Sequence, residues 1–272
     1  MNLVSKTLSR VGRLLPVYAV LYVGFLYLPI LLLPLFSFND SKVLGFPLTG
    51  FTTKWYVSLS EQTALFGALK NSLFVALVSA VMATVLGTLI SRAIAKYRYP
   101  MRRVSQTIVM VPLVMPEIII AISLLIVFLG IGLGTTLFTV ILAHSLITIP
   151  FCVSIMTSAF GQFDDSLEEA AVDLGESTWG ALRRVTLPVV APGIISCLLI
   201  SFTVSFDEFI LAFFLSGNSP TLPVYIWSQV RFPAKLPNVI ALGSLMILVS
   251  VLLLVVAERF RRRSARFTSK SE

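Results

Sequence analysis

The chain alternates between long apolar stretches and short polar segments. Six windows are each long enough to cross a bilayer, which takes about 20 mostly apolar residues in a helix: 14–38, 67–91, 104–130, 134–158, 187–215 and 238–257. This pattern predicts an all-α, polytopic membrane protein with six transmembrane helices. The first window follows Lys6, Arg10 and Arg13 but has no small-residue cleavage site, which favours a retained helix over a signal peptide.

Composition also indicates a chain that lies mostly within a bilayer. Hydrophobic residues make up 57% of the chain and charged residues 12%, and the mean hydropathy is +0.93. Soluble domains average about a quarter charged residues. We therefore expect one transmembrane domain over residues 1–272, with its core at about 67–258 and no large soluble domain.

The 21 Lys and Arg residues predict the orientation. With the N-terminus inside, 16 of them lie on the inner side and five on the outer side, including Lys70 at the outer end of the second window. Because positive charge is retained on the cytoplasmic side, both termini and residues 92–103 and 159–184 are expected inside, and residues 39–66 and 216–237 outside. The charges, including the tail Arg259–Arg266, lie beside the predicted spans, which is typical of anchors on anionic lipid and not of nucleic-acid binding.

The longest polar interruption on the predicted inner side, at about 164–184, has the pattern of a helix, a sharp turn and a second helix. Ser166 and Glu169 have the spacing of a capping box, which would start a helix near Leu167. The helix has an apolar face, Leu167, Ala170, Ala171 and Leu174, and acids directed away from it, Glu168, Glu169 and Asp173. Gly175 supplies a left-handed stop. Ser177 would cap the second helix, which is expected to end at Arg184 before a new span begins at Pro188.

This segment resembles the EAA loop of the permease subunits of ABC importers. The loop reads Glu-Ala-Ala, three residues, Gly, nine residues and Ile-x-Leu-Pro. The matching residues are Glu169, Ala170, Ala171, Gly175, Val185, Leu187 and Pro188, with Val185 replacing the family's Ile. An ordinary amphipathic surface helix would not require a fixed spacing to a downstream Leu-Pro.

The resemblance implies a type I ABC-importer (MetI-like) permease fold, placed in the bacterial inner membrane. It also implies that a cytoplasmic ATPase dimer docks on the coupling residues Glu169, Ala170, Ala171, Gly175, Leu187 and Pro188. The chain itself contains no Gly-x-x-x-x-Gly-Lys-Ser/Thr phosphate loop and no Gly-x-Ser-x-Gly or His-Glu-x-x-His motif. We therefore expect neither an enzyme nor a resident cofactor, with ATP bound by the partner subunit.

Three acids fall inside the predicted spans, where a central charge costs about 2.5–3.5 kcal/mol on insertion scales. Glu117 ends the run that begins at Pro112 and contains Pro116, and the two prolines should kink or break the third helix. Asp207 and Glu208 are adjacent in the fifth window, so on one helix they would point about 100° apart. One could face a pathway and the other a neighbouring helix. We predict that all three acids line or gate a substrate path; structural ion pairs are the alternative.

The surroundings of these acids resemble the second permease of the spermidine/putrescine branch of the family. The similar segments are Pro112–Glu117, Ser205–Phe209, Ser216–Gly217, Thr221–Pro223 and Pro237–Leu242. The resemblance implies import of a small cationic solute such as putrescine or spermidine, together with a second, different permease and an extracytoplasmic binding protein. The same permease type serving an amino-acid derivative, opine, aminophosphonate or thiamine is the alternative. A membrane scaffold or channel without transport would leave the EAA segment without a purpose.

The remaining residues of possible chemical interest are expected to be structural. Cys152 and Cys197 show no metal or redox spacing and are predicted to pack within or at the ends of spans. His144, the only histidine, has no acid close to it in sequence. It is predicted to be a hydrogen-bonded packing residue between helices, and no metal site is expected.

Overall fold

The structure is a computed structural model that describes residues 2–43, 45–97, 100–249 and 251–252. In these ranges the chain is helical, and the only β-type pairing is one bridge between Asn39 and Phe51. The helices are α1 Asn2–Ser37, α2 Lys54–Ser60, α3 Thr63–Lys96, α4 Arg102–Val114, α5 Glu117–Gly130, α6 Leu137–Gly161, α7 Ser166–Asp173, α8 Thr178–Ala181, α9 Leu187–Asp207, α10 Ile210–Leu215 and α11 Leu222–Val230, followed by α12 Pro233–Val249. The predicted arginine-rich anchor at 259–266 lies outside the described residues.

Most of the predicted windows correspond to helices of membrane-spanning length. Within the described residues, four helices are long and apolar enough to cross a membrane: Leu15–Ser37, Thr63–Lys96, Leu137–Gly161 and Thr178–Asp207. The third window is a bent pair, α4 and α5, which makes a fifth span if the pair is counted as one. The sixth window begins within α12, but residue 250 and residues 253–257 are outside the described part, so that span stays a prediction.

The third window is broken where its second proline predicts. α4 continues through Pro112 and ends at Val114. Met115 is extended, with φ −79° and ψ 140°, because the ring of a following proline excludes the helical conformation from the residue before it. α5 then starts after Pro116, at an angle of 105° to α4. The break therefore places Glu117 in the first turn of a new helix.

The fifth window contains a second break that the apolar pattern does not mark. α9 ends at Asp207, Glu208 is extended with φ −70° and ψ 122°, and α10 begins at Ile210. The expectation that Asp207 and Glu208 occupy successive positions of one continuous helix is wrong. Glu208 leaves the helical conformation between α9 and α10, and the two carboxylates have different surroundings, since Asp207 is exposed and Glu208 is buried.

The central unit of the chain, Ala64–Tyr225, is packed around α6. In this helix 61% of the apolar window is buried, the largest share among the four spans within the described residues. A Cβ atom on Gly87 of α3 would lie 2.4 Å from Cβ of Cys152 on α6, so the two backbones are close and only glycine fits. Cys152 and Cys197 are buried and unbridged, which confirms their predicted packing role.

The terminal unit combines residues up to Thr63 with those from Ile226 onward. Tyr56 of α2 connects its helices, since its hydroxyl lies 2.6 Å from the Ser37 hydroxyl and donates to Ser244 on α12 at 3.2 Å. Ser58 donates to the side chain of Asn238 at 3.0 Å. These contacts hold α2 against the end of α1 and against α12.

Candidate coupling segment and acidic sites

The first turn of α7 is capped by a different residue from the one predicted. α7 begins at Ser166, whose backbone N–H donates to Oδ1 of Asp164 at 3.0 Å. Hydrogen bonds from the Ser166 side chain and backbone hold the pKa of Asp164 below its ordinary value. The predicted capping box between Ser166 and Glu169 is therefore wrong: Ser166 is already helical, and a carboxylate two residues earlier satisfies its N–H.

The end of α7 is as predicted. Gly175 has φ +96°, a left-handed conformation that glycine adopts without a steric penalty. Its N–H donates to the carbonyl of Val172 at 2.9 Å, and the N–H of Glu176 donates to the carbonyl of Ala171 at 3.0 Å. Together these bonds form a Schellman motif. Gly175 thus fixes the sharp turn that follows α7.

The second helix starts as predicted but does not end where predicted. Ser177 accepts a hydrogen bond from the Gly180 N–H at 3.0 Å and caps α8. The helix does not stop at Arg184: a π-type turn, Leu182–Thr186, leads directly into α9. Pro188 has no backbone N–H and so cannot donate a helical hydrogen bond. It lies at the start of α9, and the wider π-type turn before it accommodates the missing bond. Leu187 is half-buried and Pro188 is exposed.

The apolar face predicted for α7 is open to the surroundings of this chain. Leu167 is 47% exposed and Leu174 is 88% exposed, and Trp179 beyond the turn is 68% exposed. The sequence-predicted coupling residues Glu169 and Ala170 are exposed as well. Exposed large apolar side chains are found where proteins contact other proteins or the membrane.

One residue of this segment that was predicted to point away from the packing surface is in fact buried. Glu168 is the only buried residue of α7. Its carboxylate accepts from Arg92 and Lys96 of α3 and from the Thr186 hydroxyl. Burial alone would raise the pKa of Glu168, but the hydrogen bonds from the two cations outweigh it, and the pKa lies below its ordinary value. The four-residue spacing of Arg92 and Lys96 could have indicated a buried acidic partner, because it places two cations on one side of a helix end.

The three acids in the spans have two kinds of environment. Glu117, in the first turn of α5, and Asp207, at the end of α9, are exposed in this chain. Glu208 is 7% exposed. Its oxygens accept from the backbone N–H groups of Leu211 at 3.0 Å and Ala212 at 3.2 Å, which are free donors at the start of α10.

His144 lies beside the second break. Its Nδ1 atom is 2.7 Å from the Ser205 hydroxyl, and its Nε2 atom is 3.2 Å from Oε2 of Glu208. The predicted packing role between helices is confirmed, here between α6 and α9. No acid is close to His144 in sequence, but the fold brings Glu208 to it across 64 residues of chain. Among the described residues no group of three potential metal ligands occurs.

The helices that follow the two breaks belong to one apolar cluster. It contains Ile120, Ala121 and Phe128 of α5 and Leu211, Ala212 and Leu215 of α10. The two acid-bearing breaks are therefore connected through a shared core. Broken helices of this kind commonly surround the substrate sites of transporters, where free backbone groups and charged side chains face a cavity.

Broken spans together with an exposed helix–turn–helix are features of transporter permeases, and the fold agrees with this class. The structure superposes on a bacterial ABC transporter involved in the import of the acidic polysaccharide alginate, with a TM-score of 0.75, 16% sequence identity, and coverage of 93% of this chain and 96% of that chain. At this identity the likeness concerns the fold alone.

The chain belongs to the family described as "Binding-protein-dependent transport system inner membrane component", whose model matches residues 83–266. It is 33% identical over 256 residues to the spermidine/putrescine transport system permease protein PotC of Escherichia coli, covering 94% of both chains. The Haemophilus influenzae PotC is 32% identical, covering 96% of this chain and 99% of that one. The Escherichia coli putrescine transport system permease protein PotI is 33% identical and covers 82% of each.

Family membership establishes the general role. The chain is a multi-pass inner-membrane permease component of an ABC importer, and it is not itself an enzyme. A permease of this family works with an ATPase and a periplasmic binding protein. The predictions that the chain is an importer permease and that ATP hydrolysis belongs to another subunit are confirmed.

Proposed function

We propose that the chain is one of two different permease subunits of an importer for a small cationic solute, such as putrescine or spermidine. The observation that carries the proposal is the pair of exposed acids, Glu117 and Asp207, each beside a break in a membrane span. Within the described residues neither carboxylate takes part in a salt bridge. Curated relatives named for spermidine and putrescine, 32–33% identical over most of the chain, support the same solute class.

An ammonium group that leaves water must exchange its hydration for anionic or aromatic partners. Carboxylates at helix breaks can replace the lost water without disturbing a helical backbone. In the proposal Glu117 and Asp207 contact the cation as the complex alternates between outward-open and inward-open states. Glu208 was predicted on the path together with the other two acids. Because it is only 7% exposed and accepts two backbone N–H groups, its role in the proposal is indirect: it fixes the start of α10 and so keeps Asp207 at the break.

The exposed face of α7 is the proposed docking surface for the ATPase dimer. Glu169, Ala170 and Ala171 lie on the helix, Gly175 fixes its end, and Leu187 and Pro188 begin α9 beyond the π-type turn. The support is the exposure of Leu174, which would be costly on a surface that stayed in water. Movement of the docked surface would then reach α9 directly, because α8 and α9 form one continuous helix.

The proposed topology has six spans in one permease domain, with both termini, 92–103 and 159–184 in the cytoplasm and 39–66 and 216–237 outside. It is supported by the 16 inner and five outer basic residues. Arg92 and Lys96 pair with Glu168, and the remaining inner lysines and arginines are proposed to contact anionic lipid. No nucleic acid is involved in the proposal. Impermeant labelling of a cysteine introduced at Ser177, in a background without Cys152 and Cys197, tests the orientation. Labelling from outside intact cells would contradict it.

The solute assignment is tested by reconstituting the permease pair with its ATPase and binding protein in vesicles. We expect ATP-dependent uptake of labelled putrescine or spermidine, and competition by other polyamines but not by a zwitterionic amino-acid derivative, an opine, an aminophosphonate or thiamine. Uptake of one of those solutes with no polyamine uptake would favour the sibling permease function instead.

The coupling assignment has its own test in the same vesicles. Gly175→Pro should lower uptake while the permease stays at parental abundance, because proline cannot adopt the positive φ of this position and the docking surface loses its turn. Normal substrate-stimulated uptake by this variant would contradict the coupling role of the segment.

A further inference from the structure

α7 presents an unusual distribution of charge. In a helix whose other residues are exposed or half-buried, one carboxylate, Glu168, is only 3% exposed. Removing a charge from water is costly unless paired partners replace the hydration. The burial of Glu168 is therefore informative about the groups that meet it.

Three groups from two other elements converge on this carboxylate. Nη2 of Arg92 lies 2.8 Å from both Oε1 and Oε2, and Nζ of Lys96 lies 2.5 Å from Oε1. Both cations are in the last turns of α3. The Thr186 hydroxyl, at the end of the π-type turn before α9, donates to Oε2 at 3.2 Å.

The cluster also reaches α6. The guanidinium of Arg92 lies 6.0 Å from the ring of Phe160, at the end of that helix, within the range of a cation–π contact. Arg92 is itself largely buried, with 16% of its side chain exposed, whereas Lys96 is 38% exposed and keeps part of its hydration. Within the described residues, Glu168 is the only residue of α7 that forms a salt bridge.

We infer that Glu168 is a positioning residue that fastens the coupling helix α7 to the ends of α3 and α9. The inference rests on the proposed coupling function of this segment. Glu168 leaves the exposed face free for the ATPase, because its own side chain is turned to the spans. When α7 is displaced, the ends of α3 and α9 then move with it. Without this attachment, the displacement would only bend the connections at 162–165 and 174–177.

The test uses the full importer in vesicles and the variant Glu168→Gln, which keeps the shape of the side chain and removes its charge. The matched control is Glu176→Gln. Glu176 pairs with Arg184 in the same segment, but that pair is exposed, with 74% of the arginine side chain open to solvent. Measured quantities are the KM and kcat of ATP hydrolysis and the number of solute molecules imported per ATP hydrolysed.

We expect Glu168→Gln to lower the solute-to-ATP ratio about threefold or more, as for residues that carry coupling without contacting either ligand. The KM for ATP and the amount of bound ATPase should be parental, because the docking face is unaltered. Glu176→Gln should keep the parental ratio. A parental ratio in Glu168→Gln, or an equal fall in both variants, would overturn the inference.

A variant that fails to insert must be separated from one that fails to couple. Glu168→Gln combined with Arg92→Gln removes both of the buried charges, so no largely buried group is left unpaired. This double variant should insert normally and still show the lowered ratio; restored coupling would contradict the inference. Parental vesicles with neither uptake nor stimulated hydrolysis would instead contradict the proposed function.

Discussion

Glu168 and Glu208 are both buried carboxylates, but different kinds of partner hold them. Glu168 lies outside the spans and is paired with two cations of α3. Glu208 lies within a broken span and accepts backbone N–H groups at the start of α10, with His144 beside it. The first carboxylate connects separate helices through full charges, whereas the second completes a helix end through dipoles. We therefore expect disruption of the Glu168 contacts to cost more stability than disruption of the Glu208 contacts.

Each buried acid has an exposed acid directly next to it in sequence. Glu169 follows Glu168 on α7, and Asp207 precedes Glu208 at the end of α9. The buried acid of each pair stabilises the position of the helices around it, and the exposed acid is free to contact a partner subunit or a solute. Substitutions within each pair can separate these two roles.

The largest expected effect is that of Glu168→Lys. The change removes the only anion of the cluster and adds a third cation beside Arg92 and Lys96, so we expect a loss of more than about 3 kcal/mol in the stability of the permease. Thermal unfolding in detergent measures it. Glu169→Lys, one residue along the helix but exposed, should stay within about 0.5 kcal/mol of the parental stability while losing uptake. Equal destabilisation by both changes would contradict the distinction.

A smaller effect is expected for Glu208→Gln. The amide oxygen can still accept one N–H at the start of α10, but the amide NH2 group cannot accept the other. We expect a loss of about 1–2 kcal/mol, the range of a helix cap or a single buried hydrogen bond. Thermal unfolding of the same preparation gives the comparison. Destabilisation as large as that of Glu168→Gln, the matched neutral change, would show that backbone donors hold Glu208 as strongly as full charges hold Glu168.

The smallest expected effect is that of pH on the Glu168 cluster. Because the pKa of Glu168 lies below its ordinary value of 4.5, its stabilising contribution is fully present above that value and is lost only as the pH falls through the lowered pKa. The stability difference between parental protein and Glu168→Gln should thus be constant between about pH 6 and about pH 8. A difference that shrinks on acidification within this range would contradict the assignment.

Much of the fold follows from patterns that lie within a single stretch of chain. The apolar windows located the helices, Pro116 marked the first break, and Gly175 marked the turn after α7. Each signal acts over a few residues, through backbone geometry or helical periodicity. For the same reason the spacing of the EAA segment could be read from sequence and the family correctly identified.

The features that sequence reasoning missed depend on contacts distant in sequence. Glu168 has the helical position of a surface acid, and only the arrival of Arg92, 76 residues earlier, makes its burial favourable. The second break contains no proline or glycine. The free backbone N–H groups at the start of α10 are satisfied by the Glu208 carboxylate, which lies beside His144. Periodicity describes one helix at a time, so it gives no information about such pairings.

We propose above all that exposure decides which of the two adjacent acids at the second break, Asp207 or Glu208, meets the transported solute. Its most direct test compares Asp207→Asn with Glu208→Gln in vesicles, with putrescine uptake expressed per assembled complex and thermal stability measured on the same samples. We predict that Asp207→Asn lowers uptake about tenfold, the value of a lost charge-assisted contact, at parental stability, whereas Glu208→Gln lowers stability with a smaller effect on uptake. Parental uptake by Asp207→Asn together with a tenfold loss in a stable Glu208→Gln complex would contradict the account.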